Sequence, residues 1–98
     1  MSTYVGLMNW TEKGVADVKS TTQRAAAAKE IASRFGVDMR EILWTMGAYD
    51  MVCILESDDE QAMTAFALAM AKQGNIRTAS MRAWTAAEMD QILAKLPG

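Results

Sequence analysis

The sequence predicts an α+β fold: a single four-stranded antiparallel sheet with its helices on one face and an extra helix at the C-terminus. Three observations lead there. Four short segments alternate with period two, as half-buried strands do. Two longer segments between them carry apolar residues at helical spacing and end at glycine. Three pairs of Ser or Thr with Gln or Glu three residues later mark helix starts.

Taken in order, Tyr4 to Trp10 reads as the first strand. The segment after it carries Val15, Val18, Thr22, Ala25, Ala28, Ala32 and Phe35 on one helical face, with Gly36 as its stop. Ser20 and Gln23 form a capping-box pattern, so the main helix is expected to open near Ser20 after a loop or short turn, or else to run unbroken from Thr11. Arg40 to Met46 and Tyr49 to Glu56 read as two strands joined by a two-residue turn at Gly47-Ala48. Ser57 and Glu60 open a helix that ends at Gly74. Ile76 to Trp84 is the fourth strand. Thr85 and Glu88 then open a last helix with Met89, Ile92, Leu93 and Leu96 on one side. The order is the ferredoxin-like βαββαβ plan with a C-terminal helix, and 98 residues suit one domain, 1–98.

Composition narrows the function classes. The chain is 51% hydrophobic with a net charge of −2 and scattered basic residues, which gives no footprint for nucleic acid. It has no histidine, the usual metal ligand and neutral-pH proton shuttle, and no metal or other cofactor is expected. Cys53 is the sole cysteine. It falls mid-strand among apolar residues, where it reads as a small hydrophobe rather than a nucleophile. The N-terminal stretch lacks the pattern of a signal peptide, and no apolar run reaches the ~20 residues of a membrane span. The expectation is a cytoplasmic protein with no membrane partner.

Strand parity sorts the side chains further. With the Gly47-Ala48 turn, Trp44 opposes Met51, Leu43 opposes Val52 and Ile42 opposes Cys53. One face then collects Val5, Leu7, Leu43, Val52 and Ile54. The other collects Tyr4, Met8, Trp10, Ile42, Trp44, Met46, Tyr49, Met51, Cys53 and Leu55. Helices cover one face only, and the branched set is assigned to them. The Met, Trp and Tyr face is left open, where an antiparallel sheet should turn polar. Large open apolar faces mark interfaces or ligand grooves. The expectation is a homo-oligomer whose sheets cover each other; the competing arrangement folds the last helix across the face of a monomer.

The stretches GAYDMV, Gly47 to Val52, and GNIRTASMRAWT, Gly74 to Thr85, together with YVGLMNWTEKG at the start, resemble the GYD-domain family over nearly the whole chain. Ala48 stands between Gly47 and Tyr49, so the literal Gly-Tyr-Asp string is absent. The resemblance implies a dimeric α+β barrel type of domain in a small bacterial protein, without a defined activity. It draws interest to Tyr49, Asp50, Asn75, Arg77 and Thr78.

The ligand-binding candidates are Tyr49, Arg82, Asn75, Arg77, Thr78, Trp10 and Trp44, around a small apolar or anionic molecule held between sheets. Tyr49 would present a ring with a hydroxyl handle, and Arg82 would hold a carboxylate or phosphate. Asp50 and Tyr49 are the only catalytic candidates. As strand neighbours they point to opposite faces, which counts against a dyad. For Asp50, a bond to Thr45 or capture of backbone N–H groups accounts for a carboxylate at a strand mouth. The pattern favours a binding or regulatory role, with a cofactor-independent enzyme of the α+β barrel type, or a ligand-free assembly module, as alternatives.

Overall fold

The computed structural model describes residues 1–98. The chain runs β1 (Ser2–Trp10), α1 (Glu12–Ala16), a single 3-10 turn (Val18–Ser20), α2 (Thr21–Arg34), β2 (Asp38–Trp44), β3 (Met51–Ser57), α3 (Glu60–Lys72), β4 (Ile76–Ala83) and α4 (Ala86–Leu93). The strands form one antiparallel sheet in the order β2-β3-β1-β4. This is the ferredoxin-like arrangement expected, with β1 and β3 central and β2 and β4 at the edges.

The cross-strand register of β2 and β3 agrees with parity: Trp44 pairs with Met51, Leu43 with Val52 and Ile42 with Cys53. A bulge between Met39 and Glu41 then shifts the ladder. The two-residue turn is not formed. β2 stops at Trp44, and Thr45 to Asp50 make a wider connection with Gly47 at φ 117°. The last rung survives as Thr45 N–H donating to Asp50 O at 2.9 Å. Beyond it, the Thr45 hydroxyl donates to Tyr49 O at 2.6 Å. The Asp50 N–H turns to Met8 O of β1, at 2.9 Å. Competition from β1 opens the turn.

Helix α2 opens where expected, but by a different device. The Ser20 hydroxyl donates to Asp17 O instead of capping α2, because the 3-10 turn already satisfies that end. Helix α3 is capped by Asp59, whose Oδ1 accepts from Gln61 N at 2.9 Å and Ala62 N at 3.2 Å. Ser57 is buried under this turn, with its hydroxyl 3.3 Å from Gly36 O. Only at α4 does the reciprocal box form, with Thr85 N donating to Glu88 Oε1 and Glu88 N to Thr85 Oγ1.

The sidedness of the sheet is the reverse of the expectation. Met8, Met51, Cys53 and Leu55 are buried beneath α2 and α3, together with Met39, Met63 and Phe66. The branched residues face outward: Leu43 is 55% exposed and Ile54 37%, with Val5, Leu7 and Val52 half-buried; Met81, 47% exposed, shares their face. Parity grouped the side chains correctly, yet it cannot say which group is covered when both are apolar. Helix α2 offers mainly alanines to the sheet, such as Ala25 and Ala32. Long methionines from the strands reach into that depth, whereas short branched side chains leave a flat face. Trp44 sits at the rim of the covered face, where its Nε1 donates to Thr21 Oγ1 at 3.0 Å.

Helix α4 does not cross the open face. None of its residues is buried, and Met89 and Leu93, with Leu96 just beyond the helix, are exposed. The molecule is long and flat, 54 × 31 × 18 Å. No helix is long and apolar enough to cross a membrane.

Candidate functional site

Between the covered sheet face and the helices lies a cavity of about 110 Å³. Its apolar lining includes Met8, Met51, Met63 and Phe66. A polar wall comes from Asn75, Thr78 and Ser80 along the start and middle of β4. The space has two sources. Helix α2 contributes Ala25 and Ala28 where longer side chains would fill it. At the centre of β1, Gly6 has no side chain; a Cβ there would stand 2.7 Å from Cys53 Sγ and 3.6 Å from Thr78 Cγ2. Ile76, Thr78 and Ser80 also border an outer cleft between α3 and β4.

The turn carrying Asn75 is clamped to α1. Thr11 N–H donates to Asn75 O at 3.1 Å, and the Thr11 hydroxyl to Gly74 O at 2.6 Å. Lys13 Nζ donates to Gln73 O at 2.8 Å. Gly14 permits this closeness, since a Cβ on it would lie 2.1 Å from Asn75 O. Asn75 Oδ1 is buried and has no hydrogen-bond partner. Buried polar atoms are nearly always paired; the Tyr4 hydroxyl, outside the cavity lining, is a second exception.

The cavity's ionisable groups are quiet. Burial pushes the Cys53 thiol up to about 11, so it is uncharged near neutral pH. Asp17 and Arg24 border the α2 end as an ion pair with each other. Hydrogen bonding with the Ser20 side chain, then the Arg24 charge, holds the Asp17 carboxyl below its ordinary range despite some opposing desolvation.

Three of the seven sequence-derived ligand candidates meet here: Trp10, Asn75 and Thr78 all line the cavity. The others stand apart. Trp44 lies at the α2 rim. Tyr49 is exposed on the Thr45–Asp50 connection. Arg77, opposite Asn9, borders the outer cleft. Arg82 pairs with Tyr4, and its guanidinium stacks 5.7 Å from the Tyr4 ring centroid and 4.7 Å from that of Trp84. It donates to Thr3 O at 3.1 Å and to Ala83 O. Asp50 is outside the cavity; its Oδ2 accepts from Trp10 N–H at 3.0 Å, tying the β2–β3 connection to the end of β1. Met8, Met51, Cys53 and Ser80 were missed as lining residues. Gly6, mid-strand, was the available signal, because glycine there often marks a close approach or a gap.

The GYD domain model matches residues 4–93, over a segment that includes the Asp50 anchor and the Asn75 turn. The chain belongs to the GYD-domain family. The GYD fold seen here is similar to the crystal structure of TTHA0845 from Thermus thermophilus. The TM-score is 0.55 and the identity 19%, over 88% of this chain and 96% of that one. At that identity the likeness speaks for the fold alone. Among curated proteins none matches this GYD chain.

Proposed function

We propose that this GYD domain binds a small molecule and works as a homo-oligomer, the ligand sitting between sheet and helices within each chain. The observation that carries the binding role is the cavity itself, apolar over most of its lining with polar side chains of β4 along one wall. A module for assembly alone has no use for an unfilled core, since a void forfeits packing. The location differs from the inter-sheet site expected from sequence, because the methionine face is the covered one.

A binding role is favoured over catalysis by what lines the space. Cys53 is uncharged near neutral pH, and Asp50, outside the cavity, is occupied with Trp10 N–H. An acid–base enzyme needs a titratable group free to reach its substrate.

The oligomer follows from the uncovered face. Val5, Leu7, Leu43, Val52, Ile54 and Met81 form an apolar surface across all four strands. Strands ~4.8 Å apart with about eight residues each give that face a footprint of roughly 500 Å². A stable interface takes about 800 Å² per partner, and the exposed stripe of α4 supplies further surface. A second copy is suited to such a flat face because two identical sheets can cover each other about a two-fold axis.

Native mass spectrometry tests both halves at once. A multimer that releases an added small mass on denaturation is the expected result. Bare monomers, unchanged when small aromatic molecules are supplied, would overturn the proposal.

A further inference from the structure

We infer that two copies of the chain pack their open sheet faces at close to a right angle, with Arg77 of each copy paired to Glu41 of the other. This rests on the homo-oligomer proposed above and adds how the two copies meet.

The rungs of the sheet fix where the charges stand. On the open face, Glu41 of β2 lies level with Ile54, Val5 and Met81. Two residues further along, Leu43, Val52, Leu7 and Ala79 form the next row. Two residues beyond that, Arg77 of β4 lies level with Asn9. Glu41 and Arg77 therefore stand at opposite edges of the sheet and at opposite ends of the apolar patch. Both are exposed, and neither forms an ion pair within the chain. Arg40, next to Glu41 in β2, is already bonded to Glu56. Asp38, exposed on the same face and the same edge strand, adds to the negative corner.

A two-fold interface makes every contact twice with the roles exchanged. An axis lying between the two faces carries one corner onto the other only if it passes midway between them, at right angles to the line joining them. The midpoint of the line from Glu41 to Arg77 falls on the Leu7–Val52 rung of the two central strands, inside the apolar patch. One axis thus serves both the apolar contact and the charges.

The same line sets the crossing angle. Three strand spacings separate Glu41 from Arg77 across the sheet, and four residues separate their rows along it. Each distance is about 14 Å. The line between them therefore runs at about 45° to the strands, and the partner's strands cross at about 90°, one of the two ways in which sheets stack face to face. An aligned stack would part the two corners. Stacked sheets lie roughly 10 Å apart, a gap that an extended Arg and an extended Glu span together. The axis also leaves the interface near Ala83, where β4 gives way to α4, so it brings the starts of the two copies' α4 helices together.

Sedimentation velocity over a concentration series tests this, using full-length wild type, Arg77→Glu and Glu41→Arg, the two variants run alone and mixed. Each variant alone sets like charges against each other twice per dimer, and its dissociation constant is expected to rise about tenfold or more. Mixed in equal amounts, the two variants form a heterodimer with one native and one reversed pair, expected to associate within about threefold of wild type. Mixing would not restore a variant that had merely unfolded. Single variants that associate like the wild type, or a mixture no tighter than its components, would overturn the pairing and the crossing angle while leaving the homo-oligomer in place. A wild type that stays monomeric throughout the series would overturn the homo-oligomer and this inference with it.

Discussion

Asp50 takes its single side-chain bond from the backbone N–H of Trp10, while its own N–H reaches Met8 O. One residue thus stitches the β2–β3 connection to the end of β1. Removing the carboxylate leaves a partly buried N–H without a partner, which costs about 1–3 kcal/mol. Asp50→Ala should lower urea-unfolding stability by about that amount, with Asp50→Asn losing less, and neither should abolish ligand binding. Cys53 gives a pH signature. Its pKa lies near 11 in the folded protein against about 8.5 for a free thiol. The folded state favours the protonated form, so this contribution is fully present below the unfolded value and is lost as pH rises through the folded one. Stability should fall between about pH 8.5 and pH 11, and Cys53→Ala should lack that part of the fall in an equilibrium unfolding series. Gly6 makes a third case. Gly6→Ala places a methyl against Cys53 Sγ and should cost about 1–3 kcal/mol by overpacking. Adding Cys53→Ala should recover much of that loss in a double-mutant cycle.

At the level of elements, order and type were legible because each strand carries a two-residue period and each main helix a stop glycine. Residues such as Gly36 and Gly74, both with positive φ, are read from sequence with little competition. The caps were less legible. Ser20, Ser57 and Thr85 looked alike, yet only Thr85 makes its box. Ser20 follows a 3-10 turn, and Ser57 is displaced by Asp59, which is better placed to reach two N–H groups. Which face the helices cover was not legible, since Val5 and Met8 are both apolar and only the depth beneath an alanine-rich helix separates them. The site suffered in turn. Trp10, Asn75 and Thr78 converge, but Arg82 and Tyr49 were grouped with them by parity and lie beyond the cavity's reach. Since α4 buries nothing, Thr85→Ala should remove about 1 kcal/mol from that helix. Amide exchange should speed up in α4 and hardly change in β1 or β3.

For the whole molecule, the radius of gyration is 15.0 Å, whereas a compact chain of 100 residues has ≈ 13 Å. The excess suits a chain shaped for company: a flat apolar sheet on one side and a helix left projecting. Ile54→Glu places a charge on the open face and, for the homo-oligomer proposed above, should shift sedimentation velocity toward monomers. Trp44→Glu, on the opposite face beside α2, should weaken packing there and leave the size of that proposed oligomer unchanged.

The projecting α4 has a consequence for spectroscopy. Eight residues with no buried side chain fall below the ~12–15 at which an isolated helix is even marginal in water. Its capping box alone gives it little support. Once a partner surface is available, the order of this segment and the encounter of two chains become one equilibrium. Far-ultraviolet helicity should then rise with protein concentration, and the last dozen residues would report on association as a built-in optical gauge.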